Sequence, residues 1–408
     1  KRKPSDIFES FQQKDRQVLT QKFSNLKFAS EDEIKIALLL PISGKYSELG
    51  EELHNAAKLA LFDSNDPRIV LVPFNTEANE FAAINAMSKI IAQDIKFIIG
   101  PVFSKVVKAI LPIAKKNDIQ ILTLSNDIKL AEDNDNVFVL GMDVGQQVQR
   151  AVKYALDNDI KFFGALLPGN KYGAQIVQEM RKVVKLHDGL VLRSEFYLPS
   201  AKISKNVKRI VNSLKEVPVN EEGEPLYRAL AEGEEIPLDD DGNPVYRDIS
   251  EFKTALLVAE SGKKLEEIAH YLKKYNFHDS QIIGLSGWNR KNQRLDEVFE
   301  NAWVADVPQD NFSLFKERYN MVFDVDVGGL AGIMYDAVSV IAAVAGVSKD
   351  SEFFREIYVD PSGFSGVNGV FRLKDSGLSE RLLDIYQLRA NEFEVIDMAP
   401  YQFKASDS

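Results

Sequence analysis

The stretch IKIALLLPISGKYSELGEELHNAAKLALFD, residues 34–63, carries three patterns in succession. Residues 34–41 are almost continuously apolar, which suits a short strand buried on both faces rather than one exposed on alternate residues. ISGKYSELG follows, a polar loop containing glycine. EELHNAAKLALFD then places Leu53, Ala56, Ala57, Ala60 and Leu61 at helical spacing. A buried strand, a glycine loop and an amphipathic helix in that order form the opening of a parallel α/β unit.

The same alternation continues outward from this stretch. RIVLVPFN, IKFIIGP and IQILTLS read as strands, separated by the helices NEFAAINAMSKIIAQ and SKVVKAILPIAKKN. The pattern breaks around residues 140–149 and restarts. FFGALLP, LVLRSEFYL, TALLVAE and QIIGLSG are strands; GAQIVQEMRKVVKLH, SKNVKRIVNSLK and GKKLEEIAHYLKKY are helices. Connections of this length imply parallel neighbours and a doubly wound sheet in each half. Beyond them, NAWVADVPQD is extended, residues 310–323 and 329–346 are helical, and the last stretch reads as antiparallel strands turning at 374–377 and 390–391. Gly328–Gly332 (GGLAG) falls inside a helical pattern, and no strand feeds it, so it permits close packing rather than cradling a phosphate.

These patterns predict an α/β protein of two doubly wound parallel-sheet lobes joined by a three-segment hinge. Lobe 1 comprises 34–143 plus 308–370, and lobe 2 comprises 144–307 plus 371–403. Residues 1–33 form a polar leader, and 217–250 an acidic insert in lobe 2. The insert holds two matching segments, PVNEEGEPLYR from Pro218 and PLDDDGNPVYR from Pro237. With ten acids and two arginines it accounts for most of the chain's net charge of -11. As calcium loops both copies fail at the entry position, where proline offers no side-chain oxygen. Glu222-Gly223 and Asp241-Gly242 are instead tight-turn signals. The insert is therefore a loop, either quiet or steering a basic partner.

Composition excludes several classes of function. The 408 residues contain no cysteine, which removes thiolate metal sites and cysteine nucleophiles. No basic face is evident for nucleic acid. No apolar run is long enough to span a membrane. His54, His187, His270 and His278 are scattered, with no metal-ligand spacing. GLSGW lacks the last glycine of a nucleophile elbow, so Ser286 is a poor nucleophile. No catalytic constellation, metal site or cofactor site is expected.

The residues resemble the type I periplasmic binding proteins, the Leu/Ile/Val-binding fold. LLLPISGKYSELG, IIGPVFS, ILTLSN and NKYG carry the likeness, which covers about residues 34–403. GLSGWNR, NAWVADVP, FKERYNMVF, LAGIMYDAV, GFSGVNGVFRLKDSG and FEVIDMAPYQF are similar to one branch, the penicillin-binding protein activator lipoproteins of Gram-negative bacteria. That branch implies a non-enzymatic envelope factor in the periplasm that stimulates a peptidoglycan synthase by contact. Its membrane attachment would be an N-terminal lipid anchor outside this chain. The alternative is the receptor of an ABC uptake transporter, whose partners are a permease and a small ligand held in an interlobe cleft.

Ligands of open α/β sheets sit at the carboxyl ends of strands, against helix N-termini. The loop residues Ser43, Tyr46, Leu49, Ser125, Asn126 and Asp127 stand at such ends, as do Ser286 and Trp288. The resemblance adds Ser104, matching a serine that helps hold a ligand carboxylate, and Tyr172, matching a cleft tyrosine. Ser104 reads equally well as a helix N-cap. Two departures stand out. Asn126 to Lys129 replace the small residues and threonine usual in amino-acid binders. The acid that pairs with a ligand ammonium is missing near Ser286. Free amino acids are therefore expected to bind weakly or not at all.

Overall fold

The computed structural model describes residues 33–64, 66–132, 134–198, 200–219, 238–240, 245–288, 294–345, 359 and 361–403. The chain divides into two units. Unit 1 takes the chain up to Asp143, then Val307–Leu382, then the segment from Pro400. Unit 2 is Val144–Asp306 with Leu383–Ala399.

Unit 1 begins with the predicted alternation, β1 (Ile34–Leu40), α1 (Ser47–Ser64), β2 (Ile69–Asn75), α2 (Glu80–Ala92), β3 (Phe97–Ile99), α3 (Ser104–Lys116) and β4 (Gln120–Thr123), and adds a short strand that the sequence pattern did not indicate, β5 (Val137–Val139). The five strands form one parallel sheet in the order β2-β1-β3-β4-β5. β1 is apolar throughout because its two faces serve different cores. Ile36, Leu38 and Leu40 pack with Leu53, Ala56, Ala57 and Ala60 of α1, whereas Ala37 and Leu39 pack with the buried faces of α2 and α3.

Unit 2 repeats this winding with α4 (Val144–Asp157), β6 (Phe162–Pro168), α5 (Lys171–Leu186), β7 (Leu190–Tyr197), α6 (Ser204–Ser213), β8 (Glu216–Pro218), β9 (Tyr246–Asp248), β10 (Thr254–Val258), α7 (Gly262–Lys274), β11 (Ser280–Leu285) and β12 (Trp303–Asp306). Its parallel strands lie in the order β7-β6-β10-β11-β12. In each unit, therefore, the second strand lies outside the first, and the first neighbours the third. The packing of the first helix is repeated too. A Cβ on Gly50 would stand 2.3 Å from the Pro41 carbonyl oxygen, and one on Gly173 would stand 2.1 Å from that of Pro168. Only glycine lets these helices press so closely on the ends of β1 and β6.

The chain then returns to unit 1 as α8 (Gln309–Phe323), α9 (Gly329–Ala345), β13 (Phe364–Gly366), β14 (Gly369–Leu373) and β15 (Ser379–Arg381). The glycine-containing GGLAG segment opens α9, whose buried face joins the core that also holds α1. β16 (Asp384–Arg389), antiparallel to β12, and β17 (Glu392–Asp397), antiparallel to β16, close unit 2. The predicted turns lie between β14 and β15 and between β16 and β17; Ala390 and Asn391 in the second both have positive φ.

Three expectations are corrected. The break around residues 140–149 is occupied by α4, whose polar first turn (Gly145, Gln146, Gln147) hid the buried face formed by Val148, Ala151, Val152 and Ala155. Residues 371–382 belong to unit 1, not lobe 2, because β14 pairs with β13 and β15, and the Val139 N–H donates to the Gly377 carbonyl at 2.8 Å. Finally, the chain passes between the units four times rather than three, the last time at Pro400. The returning segment is held in unit 1 by Phe403, whose ring lies 4.2 Å from the Arg372 guanidinium.

The acidic insert leaves and re-enters unit 2 through the β8–β9 ribbon, with Glu216 opposite Asp248 and Pro218 opposite Tyr246. Val217, Val219 and Ile249 are buried at this base. Both predicted tight turns, and the proposed N-terminal leader up to residue 32, lie outside the described residues. Because the paired base is self-contained, replacing residues 220–244 by a two-residue Asn-Gly turn is expected to move the melting temperature by no more than about 3 °C. A larger fall would mean that the insert is part of the fold.

Candidate functional site

In unit 1, the loops after β1, β3 and β4 meet at the carboxyl edge of the sheet. The winding reverses between β1 and β3, which is where doubly wound sheets receive ligands. Tyr46, from the first loop, and Phe103, from the second, span that point with ring centroids 4.7 Å apart. Leu49 is half-buried against the core. Ser104 is the first residue of α3, one position inside the cap; the cap is Phe103, which makes no side-chain capping bond. The N-cap reading of Ser104 is thus corrected.

Most polar groups at this edge are engaged with one another. Asn75, at the end of β2, accepts from the backbone N–H groups of Ile42 (3.0 Å), Ser43 (3.3 Å) and Glu77 (3.0 Å), and donates to the Ser43 hydroxyl at 2.7 Å. Ser125 is buried and accepts from the Asp127 N–H at 3.1 Å. Asp127 pairs with Lys108 at 2.8 Å and accepts from the Lys129 N–H at 3.3 Å. Asn126 is exposed. The Thr123 hydroxyl donates to the Pro101 carbonyl at 2.6 Å, tying the β3 and β4 loops together. Sequence reasoning missed Asn75. Its signal was an asparagine ending a strand just before the turn TEANE.

In unit 2, the loops after β6, β10 and β11 lie side by side, because β10 is paired with both other strands. Asn170 caps α5 by accepting from the Gly173 N–H at 3.1 Å, and Tyr172 is exposed on the first turn. The Ser286 N–H donates at 3.1 Å to Oε1 of Gln147, a buried residue of α4. Trp288 is 1% exposed, and its ring meets Phe299 edge-on at 4.8 Å. Trp288 therefore belongs to the core of unit 2 and presents no face to a ligand, a correction to its expected role. It folds inward because position 284 is glycine: a Cβ there would lie 2.5 Å from the indole.

The residue missed here is Glu260. The Trp288 indole N–H donates to its carbonyl at 2.7 Å, the Tyr197 hydroxyl to its Oε2 at 2.7 Å, and the Ser261 N–H to its Oε1 at 3.2 Å. Burial, then the adjoining carboxylate, pushes the Tyr197 phenol's pKa far above its ordinary value, so it remains a donor. A cavity of about 640 Å³ in unit 2 runs instead beside α7 and the β16–β17 turn, past Leu265, Lys273, Arg294 and Phe299. Lys273 is tied there to Asp296 at 2.7 Å, and none of the expected site residues lines the cavity.

Among the described residues, no cluster of histidine, aspartate or glutamate is arranged to hold a metal ion, and no helix is long and apolar enough to cross a membrane. His187 contacts the Val183 carbonyl at 2.9 Å and His278 contacts Asp279 at 2.6 Å, so these two have local roles.

A family described as Periplasmic binding protein matches residues 33–217. A branched-chain amino acid ABC transporter periplasmic ligand-binding protein from Burkholderia xenovorans superposes with a TM-score of 0.67 at 14% identity, covering 90% of this chain and 96% of that one. This is the type I periplasmic binding protein fold. Within that fold, the chain is 27% identical over 356 residues to the Rickettsia prowazekii protein RP748, covering 87% of this chain and 86% of that protein. It is also 26% identical over 143 residues to the penicillin-binding protein activator LpoA of Photobacterium profundum, a match spanning 35% of this chain and 23% of the activator.

Proposed function

We propose that this chain acts by recognition rather than turnover, as a periplasmic envelope protein that activates a peptidoglycan synthase by protein–protein contact. The observation that carries this reading is the self-engagement of unit 1's strand-end loops. The Ser43 hydroxyl accepts from Asn75, the Ser125 hydroxyl accepts from the Asp127 N–H, and Asp127 pairs with Lys108, so these groups are already bonded within unit 1 before any small ligand arrives. Breaking such bonds to hold a zwitterion would cost much of what the ligand returns. The partial likeness to LpoA favours a protein target. The direct test mixes purified chain with a bifunctional peptidoglycan synthase and measures capture and glycan polymerisation. Capture with faster polymerisation is expected; no capture at micromolar concentrations of both proteins overturns the reading.

A second reading, the receptor of an ABC uptake transporter, is favoured by a different observation: the carboxylate of Glu260 at unit 2's strand ends. On either reading leucine and glutamate bind poorly, because Asn126 to Lys129 stand where amino-acid binders carry small residues and a threonine, and Asp127 there is already paired with Lys108. Millimolar leucine or glutamate is expected to give no calorimetric titration, and micromolar affinity for either would refute this. Native mass spectrometry of freshly purified protein separates the two readings: a co-purified small molecule favours the receptor.

A further inference from the structure

We infer that Glu260 is a specificity-determining residue for a small solute bearing an amine or guanidine cation, a role set by its place at the carboxyl end of β10. The inference rests on the receptor reading above. In unit 2 the winding reverses between β6 and β10, so Glu260 stands at the point where a doubly wound sheet admits ligands. On one side α5 opens with exposed Tyr172, and on the other the segment after β11 carries half-buried Ser286.

The carboxylate is held ready. Trp288 fixes the backbone carbonyl of Glu260, Tyr197 and the Ser261 N–H fix its two carboxylate oxygens, and the side chain is half-buried. A charged group oriented by its neighbours loses little freedom on binding. All three donors are neutral, so the negative charge of Glu260 is not cancelled. The nearest lysine in sequence on α7 with a bonded partner, Lys264, is paired with Glu267 at 2.6 Å. No ion pair to Glu260 exists among the described residues. A partly desolvated carboxylate without a cation is matched by an ammonium or guanidinium supplied from outside. The acid that is missing beside Ser286 is thus provided one strand away.

The test compares wild type with Glu260→Gln, which keeps an acceptor for Tyr197. Putrescine, agmatine and the neutral isostere 1,4-butanediol are titrated by calorimetry and by thermal shift at low salt. Putrescine or agmatine should bind wild type, at least about tenfold more weakly to the variant, with no response to the diol. Equal affinity for both proteins, or equal response to the diol, overturns the inference. Circular dichroism and the ligand-free melting temperature of Glu260→Gln show that it has folded. Native mass spectrometry separates the two claims. A neutral or anionic solute retained by both proteins leaves the receptor reading standing and sinks the role of Glu260. If the wild type binds no solute of any charge, both fail.

Discussion

Replacing Arg381 by methionine is expected to lower the unfolding free energy by about 3–5 kcal/mol near neutral pH, the cost typical of removing one partner of a buried ion pair. Arg381, at the end of β15, and Asp336, on α9, lie 3.6 Å apart with both side chains almost completely shielded from water. The arginine also lies 4.7 Å over the Phe371 ring, and Asp336 accepts from the Val367 N–H at 2.7 Å. Methionine keeps much of the apolar stem and removes the charge, leaving a carboxylate inside unit 1 without its cation.

The pH dependence of the loss identifies its cause. Burial pushes the Asp336 carboxyl up to about 6 from its ordinary 3.8, even though Arg381 pulls the other way. A carboxyl that holds its proton more tightly in the folded chain costs stability when ionised. The cost is complete above about pH 6 and fades as the pH falls towards about 4. Without Arg381 the carboxyl should rise further, moving the window to higher pH. The deficit of Arg381→Met, read from urea midpoints, should therefore be smaller near pH 5 than near pH 7.5. A deficit independent of pH would mean that lost packing, not the stranded carboxylate, is responsible.

Trp288→Ala should have an effect of similar size in unit 2, about 3–5 kcal/mol, as for other buried aromatic truncations. The indole fills space beneath Glu260, meets Phe299, and donates to the Glu260 carbonyl. Gly284→Ala should cost about 1–3 kcal/mol by overpacking, since the new methyl would lie 2.5 Å from the same ring. The two changes share one cause, so the double variant should lose clearly less than the sum of the singles. Additive losses, measured by denaturant melts, would show that the glycine and the tryptophan act independently.

Much of the site's location was legible in sequence, but little of its chemistry. Ser43, Tyr46 and Ser104 could be placed at strand ends because each follows an apolar run within a few residues. Trp288 was misplaced for the same reason: proximity to a strand end says where a residue begins, not which way its side chain turns. Its direction depends on the missing Cβ of Gly284 and on Phe299 across the fold. Asn75 and Glu260 escaped notice because their partners are remote, Ser43 being 32 positions from Asn75 and Tyr197 being 63 from Glu260.

The alternation of strands and helices, the burial of β1 and β6 on both faces, and the parallel winding were determined by the sequence alone. They arise from hydrophobic periodicity and chain-length limits, which act within a window of some thirty residues. Tertiary structure alone decided that residues 371–382 return to unit 1, that Arg381 meets Asp336, and that Glu260 is braced by Tyr197 and Trp288. Each of these depends on groups far apart along the chain meeting in a desolvated place. There the balance of burial and pairing is set by the whole set of neighbours, which no local pattern specifies.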